Sequence, residues 1–158
     1  MPTFDFNGKT VYYETYGSGA PLLLLNGIMM SCGSWKEFIE PLSAANTLIL
    51  VDMLDQGKSS KLPGESYDHG VQLRLVDALL DHLGFETCAV AGISYGSEIG
   101  LEYAIDHPER VARLMLFNAT AATGPWLNDI GTAWNMAAGN GEAYYYTSIP
   151  VIYSPQFY

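Results

Sequence analysis

The sequence predicts a doubly wound α/β fold built on a mostly parallel sheet. Three observations carry this prediction. Short apolar runs alternate with longer stretches whose apolar residues recur at helical spacing. Several of the runs are continuous rather than alternating, the pattern of strands covered on both faces. A Gly-x-Ser-x-Gly, residues 92–96, sits between one such run and the next helical stretch. Strands that alternate with helices form βαβ units, and these close into parallel sheets with helices on both faces.

Each element follows from local signals. Residues 4–6 and 10–16, joined by Asn7-Gly8, read as a hairpin, because Asn-Gly between apolar runs favours a two-residue turn. Residues 17–19, Gly-Ser-Gly, end it. Residues 22–25 are a buried strand. Residues 34–45 read as a helix with Trp35, Phe38, Ile39 and Leu42 on one side, kinked or shortened by Pro41. Residues 47–51 form another strand and residues 52–64 a polar loop. Asp68 can cap a helix over residues 69–83, where Leu75, Val76, Leu79, Leu80 and Leu83 make a stripe and Gly84 is the stop. Residues 88–91 are a strand, residues 97–107 a helix halted by Pro108, and residues 113–118 a further strand. Beyond Ala119 the character changes. Residues 121–126 are turn-prone, and residues 126–138 can form a helix with Trp126, Ile130, Trp134 and Ala137 on one face. Residues 139–141, Gly-Asn-Gly, break it. The remainder, with Tyr144-Tyr145-Tyr146 and residues 149–158, reads as an aromatic, proline-containing tail.

A chain of 158 residues, 49% hydrophobic, suits a globular domain with a real core. Its net charge of -10 disfavours nucleic acid and anionic membrane surfaces as partners. The N-terminus lacks a basic segment followed by an apolar one, and the apolar run at residues 21–25 is far too short for a bilayer. A cytoplasmic location is the expectation. Cys32 and Cys88 have neither zinc-site nor Cys-x-x-Cys spacing. Cys88 reads as a buried small hydrophobe and Cys32 as a loop residue. Reduced thiols are the expectation, with a Cys32–Cys88 disulfide left open.

The Gly92-Ile93-Ser94-Tyr95-Gly96 turn carries the chemistry. A serine at so sharp a strand-to-helix turn has a strained backbone and a projecting hydroxyl, and side chains two residues away on either side would collide with neighbouring strand and helix. Ser94 is thus the candidate nucleophile. A base is harder to find. His69 and His82 precede Ser94 and read as surface groups. His107 lies about thirteen residues on, roughly 20 Å along a helix rising ~1.5 Å per residue.

Three segments together resemble the α/β-hydrolase superfamily of esterases, lactonases, lipases and haloalkane dehalogenases. They are the elbow with His107-Pro108-Glu109-Arg110-Val111 behind it, Leu24-Leu25-Asn26-Gly27-Ile28 with Trp35 downstream, and Val51-Asp52-Met53-Leu54-Asp55-Gln56-Gly57-Lys58-Ser59. The resemblance covers roughly residues 4–120. Asn26 stands where the family usually has histidine, and Asp55 where a glycine is expected. The resemblance implies strand order 1-2-4-3-5-6 with the family's last two strands absent. Residues 1–120 then form the N-terminal part of the core and residues 121–158 the start of a truncated cap or lid. It implies a serine hydrolase that acts on a carboxylic ester, lactone or thioester through an acyl-enzyme on Ser94. The backbone N–H groups of Tyr95 and Ile28 would form the oxyanion hole, and Asn26, Met29 and Trp126 are pocket candidates. Asp52 reads as a structural loop residue, with a catalytic role for Asp52 or Asp55 as the lesser option. Neither metal nor organic cofactor is implied.

Family members take their catalytic histidine, and commonly the acid, from beyond the sixth strand. The expectation is therefore a fragment, with the missing portion or a homo-oligomer covering the open sheet edge. A rival reading is a non-catalytic module that binds a small molecule or partner protein on the same scaffold. A third is thiol chemistry at Cys32.

Overall fold

Asn7 and Gly8 both adopt the left-handed backbone, φ 54° and 78°, that a two-residue hairpin turn demands. They join β1 (Thr3–Phe6) to β2 (Lys9–Tyr16), antiparallel, with Phe6 opposite Lys9. The computed structural model describes residues 2–156. By Cα proximity the chain divides into two compact units, Met1–Thr120 and Ala121–Tyr158.

The first unit is a six-stranded mixed sheet. With β3 (Ala20–Leu25), β4 (Asn46–Asp52), β5 (Cys88–Ile93) and β6 (Val111–Phe117), its order is β1-β2-β4-β3-β5-β6, the order expected from the sequence. The β1–β2 and β2–β4 pairs are antiparallel; β4–β3, β3–β5 and β5–β6 are parallel. The leucine run of β3 explains its central place. Leu23 and Leu25 enter one core beneath α2 (His69–Leu83) and α3 (Tyr95–Asp106), while Leu22 and Leu24 enter the other beneath α1 (Lys36–Ser43). Each fully buried leucine contributes about 1.5–3 kcal/mol, so neither face can turn to water. β6 lies at the sheet edge, where Met115 and Phe117 are exposed.

Several local expectations shift. The stretch beginning near residue 34 opens as a 3-10 turn, Cys32–Trp35, and α1 starts only at Lys36, with Pro41 inside it. Asp68 occupies the N-cap of α2 but makes no side-chain cap bond; Gly84 closes that helix in the left-handed conformation at φ 75°. β6 stops at Phe117, where Asn118 turns to φ 56°.

The second unit corrects the tail. Residues read as an irregular aromatic segment form a helix, α5 (Gly141–Ile152), after α4 (Pro125–Ala137). The physical reason is Asn140, whose Oδ1 accepts the N–H groups of Glu142 and Ala143 at 3.1 Å each. The Gly-Asn-Gly that ends α4 thus also starts α5. Pro150 falls in the last turn of α5, where it has no N–H to donate to the Tyr146 carbonyl. The two helices pack through Trp134, whose Nε1 donates to Thr147 O at 3.1 Å. Phe157 and Tyr158, the end of that predicted tail, lie outside the described residues. Among the described residues no helix is long and apolar enough to cross a membrane.

Cys32 and Cys88 are both free and buried, so the disulfide left open by the sequence does not form. Burial raises the Cys88 thiol from 9.0 to about 11, with Arg110 acting the other way. A hydrogen bond to Glu14, then burial, raises the Tyr16 hydroxyl from 10.0 to about 12. Both groups hold their protons more tightly folded than unfolded. Their contribution to stability is complete below pH 9 and is lost through pH 9–11 for Cys88 and 10–12 for Tyr16. Urea midpoints should therefore fall across this range, and the Cys88→Ala/Tyr16→Phe double variant should show a shallower fall. An identical slope in that variant would rule these groups out as the cause.

Candidate functional site

Ser94 links β5 to α3 with φ 52° and ψ -121°, a conformation that costs a non-glycine residue about 1–3 kcal/mol. Surrounding bonds hold it there. Its N–H donates to Phe117 O on β6 at 2.9 Å, and its carbonyl accepts the N–H groups of Ser97 at 2.7 Å and Glu98 at 3.2 Å. The buried Ser97 Oγ lies 2.6 Å from Gly92 O and 2.8 Å from Phe117 O and accepts the Phe117 N–H at 3.2 Å. One hydroxyl therefore fastens the ends of two strands to the first turn of α3. The flanking glycines are sterically required. A Cβ on Gly92 would lie 2.2 Å from Gly96 O, and one on Gly96 would lie 2.2 Å from Leu25 O. Ser94 itself is exposed, and its hydroxyl has no hydrogen-bond partner among the described residues.

The loop after β3 comes up beside it. A Cβ on Gly27 would stand 3.6 Å from Ser94 Cβ. The chain then turns, with Met30 N–H donating to Gly27 O at 3.2 Å and Met29 at φ 63°. The N–H groups of Ile28 and Tyr95 donate to none of the described residues. Asn26 does not line a pocket, contrary to the sequence expectation. It is fully buried. Its Nδ2 donates to Val51 O at 2.8 Å and Gln56 Oε1 at 3.1 Å, and its Oδ1 accepts from Trp35 Nε1 at 2.7 Å. Gln56 in turn donates to Gly27 O at 3.1 Å, so Asn26, Trp35 and Gln56 brace the turn from behind.

Asp52 holds the base of the site. Its Oδ1 accepts the Cys32 N–H and its Oδ2 the Lys58 N–H, both at 2.7 Å. Gly57 leaves room for that carboxylate: a Cβ there would lie 1.9 Å from Asp52 Oδ2. Asp52 thus ties the turn at Cys32 to the loop at Lys58. Lys61 draws the same loop together, its ammonium donating to the carbonyls of Gln56, Gly57 and Ser59 at 2.8 Å each. Cys32 is 2% exposed, and burial, then the neighbouring Asp52, push its thiol well above the ordinary range, which disfavours the thiolate that thiol chemistry at Cys32 requires.

Between these loops lies a cavity of about 430 Å³. Ile28, Met29 and Met30 form one wall, residues 54–57 another, and Tyr67 and Tyr95 the remainder. Ile28 and Met29 are exposed at its rim. Asp55, at φ 67°, accepts the Leu62 N–H at 2.7 Å and the Tyr67 hydroxyl at 2.6 Å. Trp126, the other pocket candidate, is an exposed residue in the first turn of α4, in the second unit; the cavity is built from first-unit residues.

The histidines are engaged elsewhere. His69 Nδ1 pairs with Glu102 Oε1 at 2.8 Å, and its ring meets the Tyr95 ring edge-on at 5.4 Å. His82 contacts the Tyr13 hydroxyl at 3.1 Å and stacks on Phe4. His107 closes α3, tilted over Tyr103, 3.8 Å from Glu109. None of the three hydrogen-bonds Ser94. Sequence reasoning missed the anchoring role of Ser97 and the bracing role of Gln56. Ser97's place three residues after the nucleophile candidate was the available signal for the first.

Comparison with known proteins places these features in context. The model of a family described as alpha/beta hydrolase fold matches residues 20–149. The crystal structure of MGS-M2, an alpha/beta hydrolase enzyme from a Medee basin deep-sea metagenome library, superimposes with a TM-score of 0.96. It is 45% identical, over 99% of this chain and 59% of that one. A soluble epoxide hydrolase from a Corynebacterium species is 33% identical over 112 residues, 71% of this chain and 39% of that protein. A haloalkane dehalogenase from Agrobacterium fabrum is 33% identical over 117 residues, 74% of this chain and 37% of that protein. The chain spans less than half the length of these curated relatives.

Proposed function

Because the chain belongs to the α/β-hydrolase fold family, we propose that it carries the nucleophile and oxyanion-hole portion of a serine hydrolase acting on a carboxylic ester, lactone or thioester. The observation that carries this reading is Ser94, strained at φ 52° with an unengaged, exposed hydroxyl, beside two unengaged N–H groups at Tyr95 and Ile28. The Ser94 oxygen attacks the carbonyl carbon and gives up its proton to a base. The carbonyl oxygen becomes an oxyanion facing the two N–H groups, each such donor being worth about a hundred- to thousand-fold in rate. Collapse expels the alcohol or thiol with a proton and leaves an acyl-enzyme, which water hydrolyses. The base comes from outside the described residues, since their three histidines are committed to other partners. On this reading residues 121–158 are the first part of a cap over the substrate.

One observation favours a second reading, a non-catalytic binding module: no described imidazole stands at Ser94. Fluorophosphonate labelling separates the two. The chain should be tested alone and as a chimaera extended with the unmatched remainder of the 45%-identical relative. A mass adduct on Ser94 in the chimaera, absent in Ser94→Ala, is the result expected. An unlabelled, folded chimaera overturns the hydrolase reading and leaves the binding module.

A further inference from the structure

The cavity beside the elbow carries a single formal charge. Ile28, Met29, Met30 and Leu54 make its walls apolar, and Asp55 is the sole lining residue that bears a charge. Two donors hold that carboxylate, the Leu62 N–H and the Tyr67 hydroxyl, and neither is a cation. Burial, then the bond to Asp55, raises the Tyr67 hydroxyl above its ordinary range, so it stays a donor. Lys61, six residues along the same loop, is turned to three backbone carbonyls. The Asp55 charge is therefore hydrogen-bonded but not cancelled, on the wall of an apolar space in a chain of net charge -10.

We propose that this cavity receives an uncharged, apolar acyl or alkyl group of the substrate, and that Asp55 excludes groups ending in a carboxylate. An alkyl chain gains by leaving water for the Ile28–Met30 wall. A carboxylate in the same place gives up part of its hydration and meets a like charge at the cavity rim, where Asp55 is exposed. The cavity volume, about 430 Å³, is ample for such a group. This selectivity rests on the reading that the cavity flanks the reacting centre.

The test is binding rather than turnover. Hexanamide, its terminal carboxylate analogue adipamate, and its cationic analogue 6-aminohexanamide are titrated into the isotope-labelled chain and followed by amide NMR. Hexanamide should shift the amides of Ile28, Tyr67 and Tyr95 saturably. Adipamate should bind about tenfold more weakly or worse, and the cationic analogue more tightly than adipamate. In Asp55→Asn, which keeps an oxygen for the Leu62 N–H and tolerates a left-handed backbone, the gap between hexanamide and adipamate should shrink to about threefold or less. Equal binding of hexanamide and adipamate, an unchanged gap in the variant, or no shift at the cavity overturns the proposal. Should the variant not fold, the ordering of the three ligands on the unmodified chain still decides. Ser94 labelling without cavity binding would overturn the selectivity alone. Charge-ordered binding in a chain whose Ser94 never labels would overturn the reaction and leave the selectivity standing.

Discussion

Gly96→Ala should destabilise the chain by about 3 kcal/mol or more and remove the labelling of Ser94 expected in the extended chimaera. The added methyl carbon would lie 2.2 Å from Leu25 O, 2.5 Å from Leu25 C and 2.7 Å from Asn26 O. These are main-chain atoms at the end of β3, which pairs with β4 on one side and β5 on the other. They cannot retreat without breaking ladder bonds, so α3 must lift instead, and the turn at Ser94 opens with it. Gly100→Ala is the control. Its Cβ would meet only side-chain ends, Val90 Cγ1 at 3.3 Å and Leu25 Cδ1 at 3.5 Å, and alanine is the better helix former. Urea unfolding should place Gly100→Ala close to the unmodified chain and Gly96→Ala far below it. Coincident midpoints for all three would show that the helix does not press on β3 as described.

Asp52→Ala has a comparable effect for a different reason. Both carboxylate oxygens are in use, on the N–H groups of Cys32 and Lys58, and the residue is 1% exposed. Hydrogen bonds to a charged group are worth about 1.5–3 kcal/mol each, so removal costs about 3 kcal/mol or more. Asp52→Asn should fall between, since its amide keeps one acceptor and turns a donor toward the other N–H. Amide exchange at Cys32 and Lys58 should quicken in both variants while that of β5 holds. Unchanged exchange at those two amides would mean the carboxylate is not what joins the loops.

The sheet was legible because its signals are local. Asn7-Gly8 sets the hairpin, the four leucines of β3 mark a strand covered on both faces, and the stripe from Leu75 to Leu83 with Gly84 bounds α2. Ser94 and its glycines were legible because the close approaches at Gly92 and Gly96 forbid other residues at fixed spacing. What failed to show was long-range or doubly used. Asn26 was read as a pocket residue because its partners, Trp35, Val51 and Gln56, lie 9, 25 and 30 residues away. The Asp55–Tyr67 pair spans 12 residues of irregular chain, with nothing periodic to expose it. α5 was missed because one tripeptide served as stop and start, and the aromatic run after it has no apolar period of its own.

The bond from Ser94 N–H to Phe117 O bears on how the protein is made. A ribosome delivers the serine well before it delivers the strand that pins it. Until Phe117 has emerged and docked, the peptide at position 94 is free to relax to an ordinary conformation, and the hydroxyl is poised for nothing. Nascent chains halted before that strand should therefore leave this serine in an ordinary backbone conformation, so the sharp turn arises only after its scaffold.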